Sequence, residues 1–193
     1  MSTNDKAKSV DAVSSGLICG ARPEELALAL GRFDFECIGA DGKVKWTGSA
    51  PNLVVNVGLA YMAGSALTSV TAITAWYVGI YGAGASNTPA AADTMSSHAG
   101  WTEVVPYSNA TRIACTFVTA TTANPSVATN SASPASFSIN ATSTVGGAFL
   151  TSGSAKSGTA GTLFSAADFS SPGDRAVTSG DTLNVTYTMS LAG

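Results

Sequence analysis

The chain has 193 residues (19.2 kDa) with 9 Lys/Arg, 12 Asp/Glu and one His, giving a formal charge of -3 and a pI near 4.9. Hydrophobic residues make up 45%, enough to pack the core of one ordinary domain plus a tail, or of two very small domains. So few basic residues exclude phosphate-backbone binding as the main task, and no apolar run is long enough to cross a bilayer as a helix, so neither a nucleic-acid nor a membrane partner is expected.

Residues 1–22 are polar and small, without a sustained period, and read as an extended arm. The start, MSTNDKAKSVDAVSSG, lacks the apolar stretch of a signal peptide. Residues 23–30, PEELALAL, suit one or two helical turns. Pro23 fits a first helical position, Glu24 and Glu25 the first turn, and Gly31 the stop. An arm over 1–31 and a body over 32–193 are the expected division.

The body opens on a hairpin. Arg32 to Ile38 alternates polar and apolar, Asp41-Gly42 supplies the turn, and Lys43 to Thr47 alternates again. Phe33, Phe35 and Cys37 share one face, as do Val44 and Trp46. Asp34 and Glu36 are expected to meet Lys43 and Lys45 across the strands. Next, Asn56 can cap a helix from Val57 to about Leu67, with an apolar stripe of Leu59, Met62, Ala63 and Leu67 that Gly58 and Gly64 weaken. Ile73–Tyr81 reads as a strand and Gly82–Ala92 as a loop. Asp93–His98 reads as a capped turn, and Trp101–Val105 as a short extended piece. Further strands are expected at Arg112–Thr119, Ala135–Ala141, Thr144–Thr151, Gly161–Ser165 and Leu183–Leu191, separated by Ser/Thr/Ala/Gly loops. Eight or nine short strands with regular turns indicate an all-β protein, a β-sandwich or jelly-roll-like body with one short helix and an extended N-terminal arm.

The sequence offers little for catalysis. His98 is the lone histidine, so no His cluster can bind metal, and no G-x-S-x-G elbow frames a serine. His98 is expected to pack beside Trp101. Asp93, Glu103, Asp168, Asp174 and Asp181 sit in no glycosidase or calcium-loop pattern, and Asp174 and Asp181 follow glycine in turns. The glycine-rich pieces lack a phosphate-loop Lys. No enzyme activity and no cofactor or metal is expected. Cys19, Cys37 and Cys115 are widely spaced and odd in number, which points to buried free thiols and manufacture in a reducing cytoplasm. Trp76, Tyr77, Tyr81, Trp101 and Tyr107 suit core or interface anchors better than a sugar groove.

Charge is uneven. Thirteen of the 21 ionic residues fall in 1–46, leaving eight for 47–193. Neutral Ser, Thr, Ala, Asn and Gly take their place. Such side chains lose little entropy or hydration when covered, so the body is expected to pack against neighbours.

The order of short runs NLVVNVG (52–58), TAWYVGIY (74–81), AADTMSSHAGWTEVVPYSNATR (91–112), FSINATSTVGGAFL (137–150), SGTAGTLFSAADF (157–169) and GDTLNVTYTMSL (180–191) resembles small structural proteins of tailed bacteriophages. The resemblance covers roughly residues 32–191 and carries no catalytic residues. It implies a virion protein, made in the host bacterial cytoplasm and placed on the capsid surface. There it would act as a head decoration (cement) protein bound outside the major capsid protein lattice. The alternative is a tail-associated or receptor/carbohydrate-binding virion protein. The expected partners are the major capsid protein and further copies of the chain, a homo-oligomer, with a trimer the form suggested by lattice symmetry. Expected contact residues are Glu24, Leu26, Leu28, Leu30 and Arg32 in or beside the arm, and Trp101 and Tyr107 in the body.

Overall fold

The computed structural model describes residues 28–82, 88–169 and 173–193. Thirteen strands and one α-helix follow in chain order: β1 (Leu28–Ile38), β2 (Val44–Pro51), β3 (Leu53–Val54), α1 (Asn56–Leu67), β4 (Trp76–Gly82), β5 (Thr102–Glu103), β6 (Ile113–Cys115), β7 (Ser126–Thr129), β8 (Ala135–Ser138), β9 (Ser143–Val145), β10 (Gly147–Thr151), β11 (Leu163–Asp168), β12 (Arg175–Val177) and β13 (Thr182–Ala192). The protein is all-β and sandwich-like. One antiparallel sheet runs β2-β1-β13, with β7 and β8 both on the far edge of β13. The other runs β3-β11-β10-β4, with β5 and β6 on β4. A small β9–β12 pair stands apart.

Period-2 alternation sets the inner face of the first sheet. Phe33, Phe35, Cys37, Leu183, Val185 and Tyr187 are buried there, and the register pairs Phe33 with Tyr187 and Phe35 with Val185. From the second sheet Val78, Ile80, Ala148, Leu150, Phe164 and Ala167 close the same core. Phe169 packs across the gap onto Phe35, ring centroids 4.3 Å apart. The second sheet buries its other face too. Tyr81, Phe149, Leu163 and Ala166 meet Met95 and Trp101 from the segment that follows β4.

The expected hairpin forms, but its cross-strand charge pairs do not. Asp34 lies opposite Ser49 and Glu36 opposite Thr47, which leaves Lys43 and Lys45 nearer the turn than either carboxylate. Asp34 takes its hydrogen bond from Arg32 instead, at 3.0 Å. Lys45 reaches the buried Asp181 carboxylate, 2.6 Å away. Asp181 Oδ2 also accepts from the Thr178 amide and hydroxyl, at 2.8 and 3.1 Å, in the turn that Gly180 (φ 91°) permits. Burial pushes the Asp181 carboxyl up, but the hydrogen bonds from Lys45 and Thr178 outweigh it and hold the group below its ordinary value. A depressed folded pKa stabilises above the unfolded value near 4 and loses that stabilisation as pH falls through the folded value. Thermal melts should therefore show Asp181→Asn less stable than wild type at pH 7. The gap should close on acidification below about pH 4. A gap that stayed constant with pH would contradict the ionised role.

Three further expectations are corrected. First, residues 28–31 belong to the body. They form the start of β1, paired Leu28↔Ala192 to Gly31↔Met189, where the end of β13 offers a free edge. The expected helical turns therefore do not include Leu28–Leu30; residues 23–27 lie outside the described part. Second, Val55 rather than Asn56 is the N-cap of α1, and no side chain caps it. The helix also turns its glycines inward: Gly58 and Gly64 are buried while Leu59 and Leu67 are exposed. A Cβ at Gly58 would overlap the Phe164 carbonyl, so glycine is what lets α1 lie on β11. Third, the single strand expected over Thr144–Thr151 divides at Gly146 into β9 and β10.

The far edge of β13 is also interrupted. Between β7 and β8, Asn130 stands in for the missing rungs. Its side chain accepts from the Tyr187 amide at 2.7 Å and donates to the Val185 carbonyl at 3.3 Å.

Candidate functional site

Two places concentrate unusual side chains. The first is a polar knot on the second sheet. Glu103 on β5 and Arg112 just before β6 meet in a bidentate pair, with Nε and Nη2 donating to Oε1 and Oε2 at 2.9 and 2.8 Å. Arg112 also donates to the carbonyls of Gly153 and Gly158, both at 2.9 Å. Four of the guanidinium's five N–H bonds are thus used. Glu103 Oε2 further accepts from the Ser157 amide at 2.7 Å, and Ser157 holds a left-handed φ of 54°. Both side chains are nearly out of solvent, at 1% and 6% exposure. The pair ties the 152–161 loop to the sheet. Beside it His98 stacks on Trp101, ring centroids 3.7 Å apart, as expected. Trp101 donates to Asp93 at 3.3 Å. Among the described residues no group of three His, Cys, Asp or Glu is arranged to hold a metal ion.

The second place is an apolar groove of about 670 Å³ at one end of the sandwich. There β1 and β13 run on past the core, and α1 overhangs them from the other sheet. Its walls include Met62 on α1, Phe117 after β6, and Tyr187 and Met189 on β13. Its floor is an aromatic ladder, Tyr61 on Trp76 on Phe164, with centroids 5.4 and 5.3 Å apart. Leu28, Leu59 and Leu191 form an exposed rim. Among the described residues, no charged side chain lines it. The groove exists because α1 packs through glycine onto β11 and turns its larger apolar residues toward the first sheet without reaching it.

No family model, no curated protein and no solved structure matches this chain.

The sequence-selected contact residues are dispersed. Glu24 and Leu26 lie outside the described residues. Leu28, Leu30 and Arg32 alternate along the outward side of β1, all exposed, and Leu28 also touches the groove. Trp101 and Tyr107 are 4% and 1% exposed. Correcting the expectation for them, both are interior anchors: Trp101 covers Tyr81 and Phe149, and Tyr107 packs on Phe137. The groove was missed because its walls are far apart in sequence. Its only early signal was the unbroken Met189–Leu191 alternation beyond the core. Cys37 and Cys115 are buried free thiols, as expected, and burial raises them to about 11 and about 12, so both stay protonated. Cys19 lies outside the described residues.

Proposed function

We propose that this chain is a bacteriophage virion protein that decorates the capsid. It would bind the outside of the major capsid protein lattice as a homo-oligomer, with a trimer at lattice threefolds the favoured form. The observation that carries this reading is the scarcity of exposed ions over residues 47–193, the body beyond its first hairpin. Of the eight ionic residues in 47–193, Asp93, Glu103, Arg112 and Asp181 have buried side chains. Lys156 is tied to the Tyr107 carbonyl at 2.6 Å and lies over that ring, and Arg175 lies over Trp46. Asp168 is half-buried, and Asp174 alone is exposed. Such a surface costs little to cover, because few ions lose their hydration. The resemblance of the short runs in residues 32–191 to phage structural proteins supports the same reading.

In this reading the charged leading segment acts as a tether onto a neighbouring subunit, adding contacts at high effective concentration. The cut that tests it falls after residue 27, since Leu28–Leu30 are part of β1. Shells prepared without this protein should take up the full chain and fail to take up residues 28–193, with circular dichroism showing a folded β body in both. Equal uptake of the shortened chain would refute the tether.

A further inference from the structure

Surface helices of globular proteins carry charged side chains on their solvent side. α1 carries none. From residue 46 to residue 92 the chain has no Asp, Glu, Lys, Arg or His, and α1 lies inside that stretch. Only its glycines, Gly58 and Gly64, are buried, while Val57, Leu59 and Leu67 are exposed. Its two hydroxyls bond within the chain. That of Tyr61 accepts from the Ile73 amide at 2.8 Å, and that of Ser65 donates to the Met62 carbonyl at 3.1 Å. A helix apolar on every side belongs in an interior. Leu67 is 85% exposed, the most of any large apolar side chain among the described residues. The helix end that presents it is well fixed. The Thr68 amide and hydroxyl both donate to the Gly64 carbonyl, at 2.9 and 2.8 Å, and Val70 folds back onto Gly64. A knob already held in place loses little freedom when it is covered.

We propose that α1 forms the contact between copies of this chain, with Leu67 of one copy seated in the apolar groove of the next. Met62, Ala63 and Ala66 of α1 line that groove, and Leu67, the following residue, is not among its walls. Knob and groove thus stand side by side on one element. A copy related by rotation about a nearby axis brings its Leu67 to the neighbour's groove, so each copy gives one knob and receives one, and the assembly closes. The charge character matches as well. Neither the described groove walls nor residues 56–75 carry an ion, so a second copy loses no ionic hydration on docking. A charged or strongly polar partner would leave unpaired groups against the same walls. The proposal rests on the homo-oligomer part of the reading above and names its surface; the capsid location is tested separately, by shell uptake.

Light scattering coupled to size exclusion, on the isolated full-length chain at micromolar concentration, tests it. Wild type should have the mass of a closed oligomer, three chains in the favoured form, and Leu67→Asp the mass of one chain. The far-ultraviolet circular dichroism of the variant should be unchanged, because Leu67 belongs to no core. Val44→Asp, an exposed valine in the hairpin at the far end of β1, should keep the wild-type mass. A wild-type monomer, or a Leu67→Asp variant of wild-type mass, would overturn the proposal. A wild-type dimer that Leu67→Asp dissolves would uphold the seating and overturn only the threefold form. The paired variant Met62→Cys/Leu67→Cys fixes the register. Its two sites are five residues apart on one helix, about 7.5 Å along the axis, too far to be bridged within a chain. Mild oxidation should therefore join chains, with peptide mapping placing the bond between position 67 of one copy and position 62 of another. Chains that stay unjoined, or are joined only through other cysteines, would equally overturn the seating.

Discussion

Replacing Arg112 by Met is expected to cost about 3–5 kcal/mol of stability, the usual penalty for stranding one member of a buried ion pair. The Glu103 carboxylate would lose both charged hydrogen bonds while its side chain stays 6% exposed. The carbonyls of Gly153 and Gly158 would lose their donor as well. Urea unfolding, extrapolated linearly to water, measures the loss. The double variant Arg112→Met/Glu103→Leu should fall well short of the sum of the two single losses, because it removes the stranded charge along with its partner. Hydrogen exchange should show the 152–161 loop losing protection first. Additive losses in the double variant would mean that the pair is not coupled as its geometry requires.

Phe149→Ala should be of similar size, about 3–5 kcal/mol. The ring lies directly over Gly79, its register partner on β4, where a Cβ would overlap it. It also packs on Trp101 at 5.2 Å and under the Arg112 guanidinium at 5.1 Å. Because the facing residue on β4 is glycine, no side chain from that strand can move in to close the cavity, which puts the cost at the upper part of the range for large-to-small core changes. Trp101 emission should shift to the red as its partner disappears. The loss should be non-additive with Arg112→Met, since the two side chains touch. A loss under about 1 kcal/mol would show that the outer face of the second sheet is not a second core.

The all-β class and the first hairpin were legible because a half-buried strand writes its period of two into the sequence, as Phe33, Phe35 and Cys37 do. His98 beside Trp101, the turn at Asp181 and the buried Cys37 and Cys115 were legible from local context. The face of α1 was not. Helical spacing pointed to Leu59 and Leu67, yet close approach to the Phe164 carbonyl selects the glycines instead. The break between β7 and β8 was hidden for a similar reason, since one Asn side chain imitates two backbone rungs. The Arg112–Glu103 pair left a faint trace. Glu103 is the only Glu after residue 36, and Arg112 the only Arg between Arg32 and Arg175. In a chain so poor in charge, isolated opposite ions on neighbouring elements are natural partners. The groove left almost none, because its walls come from elements more than a hundred residues apart.

The count of this chain in the assembled particle bears most directly on the proposed role. Quantitative mass spectrometry of purified virions, referenced to the major capsid protein, should find it at an abundance approaching that of the coat subunit, with density for it on the outer face of the shell. A handful of copies per particle, or density confined to the tail, would contradict the decoration role.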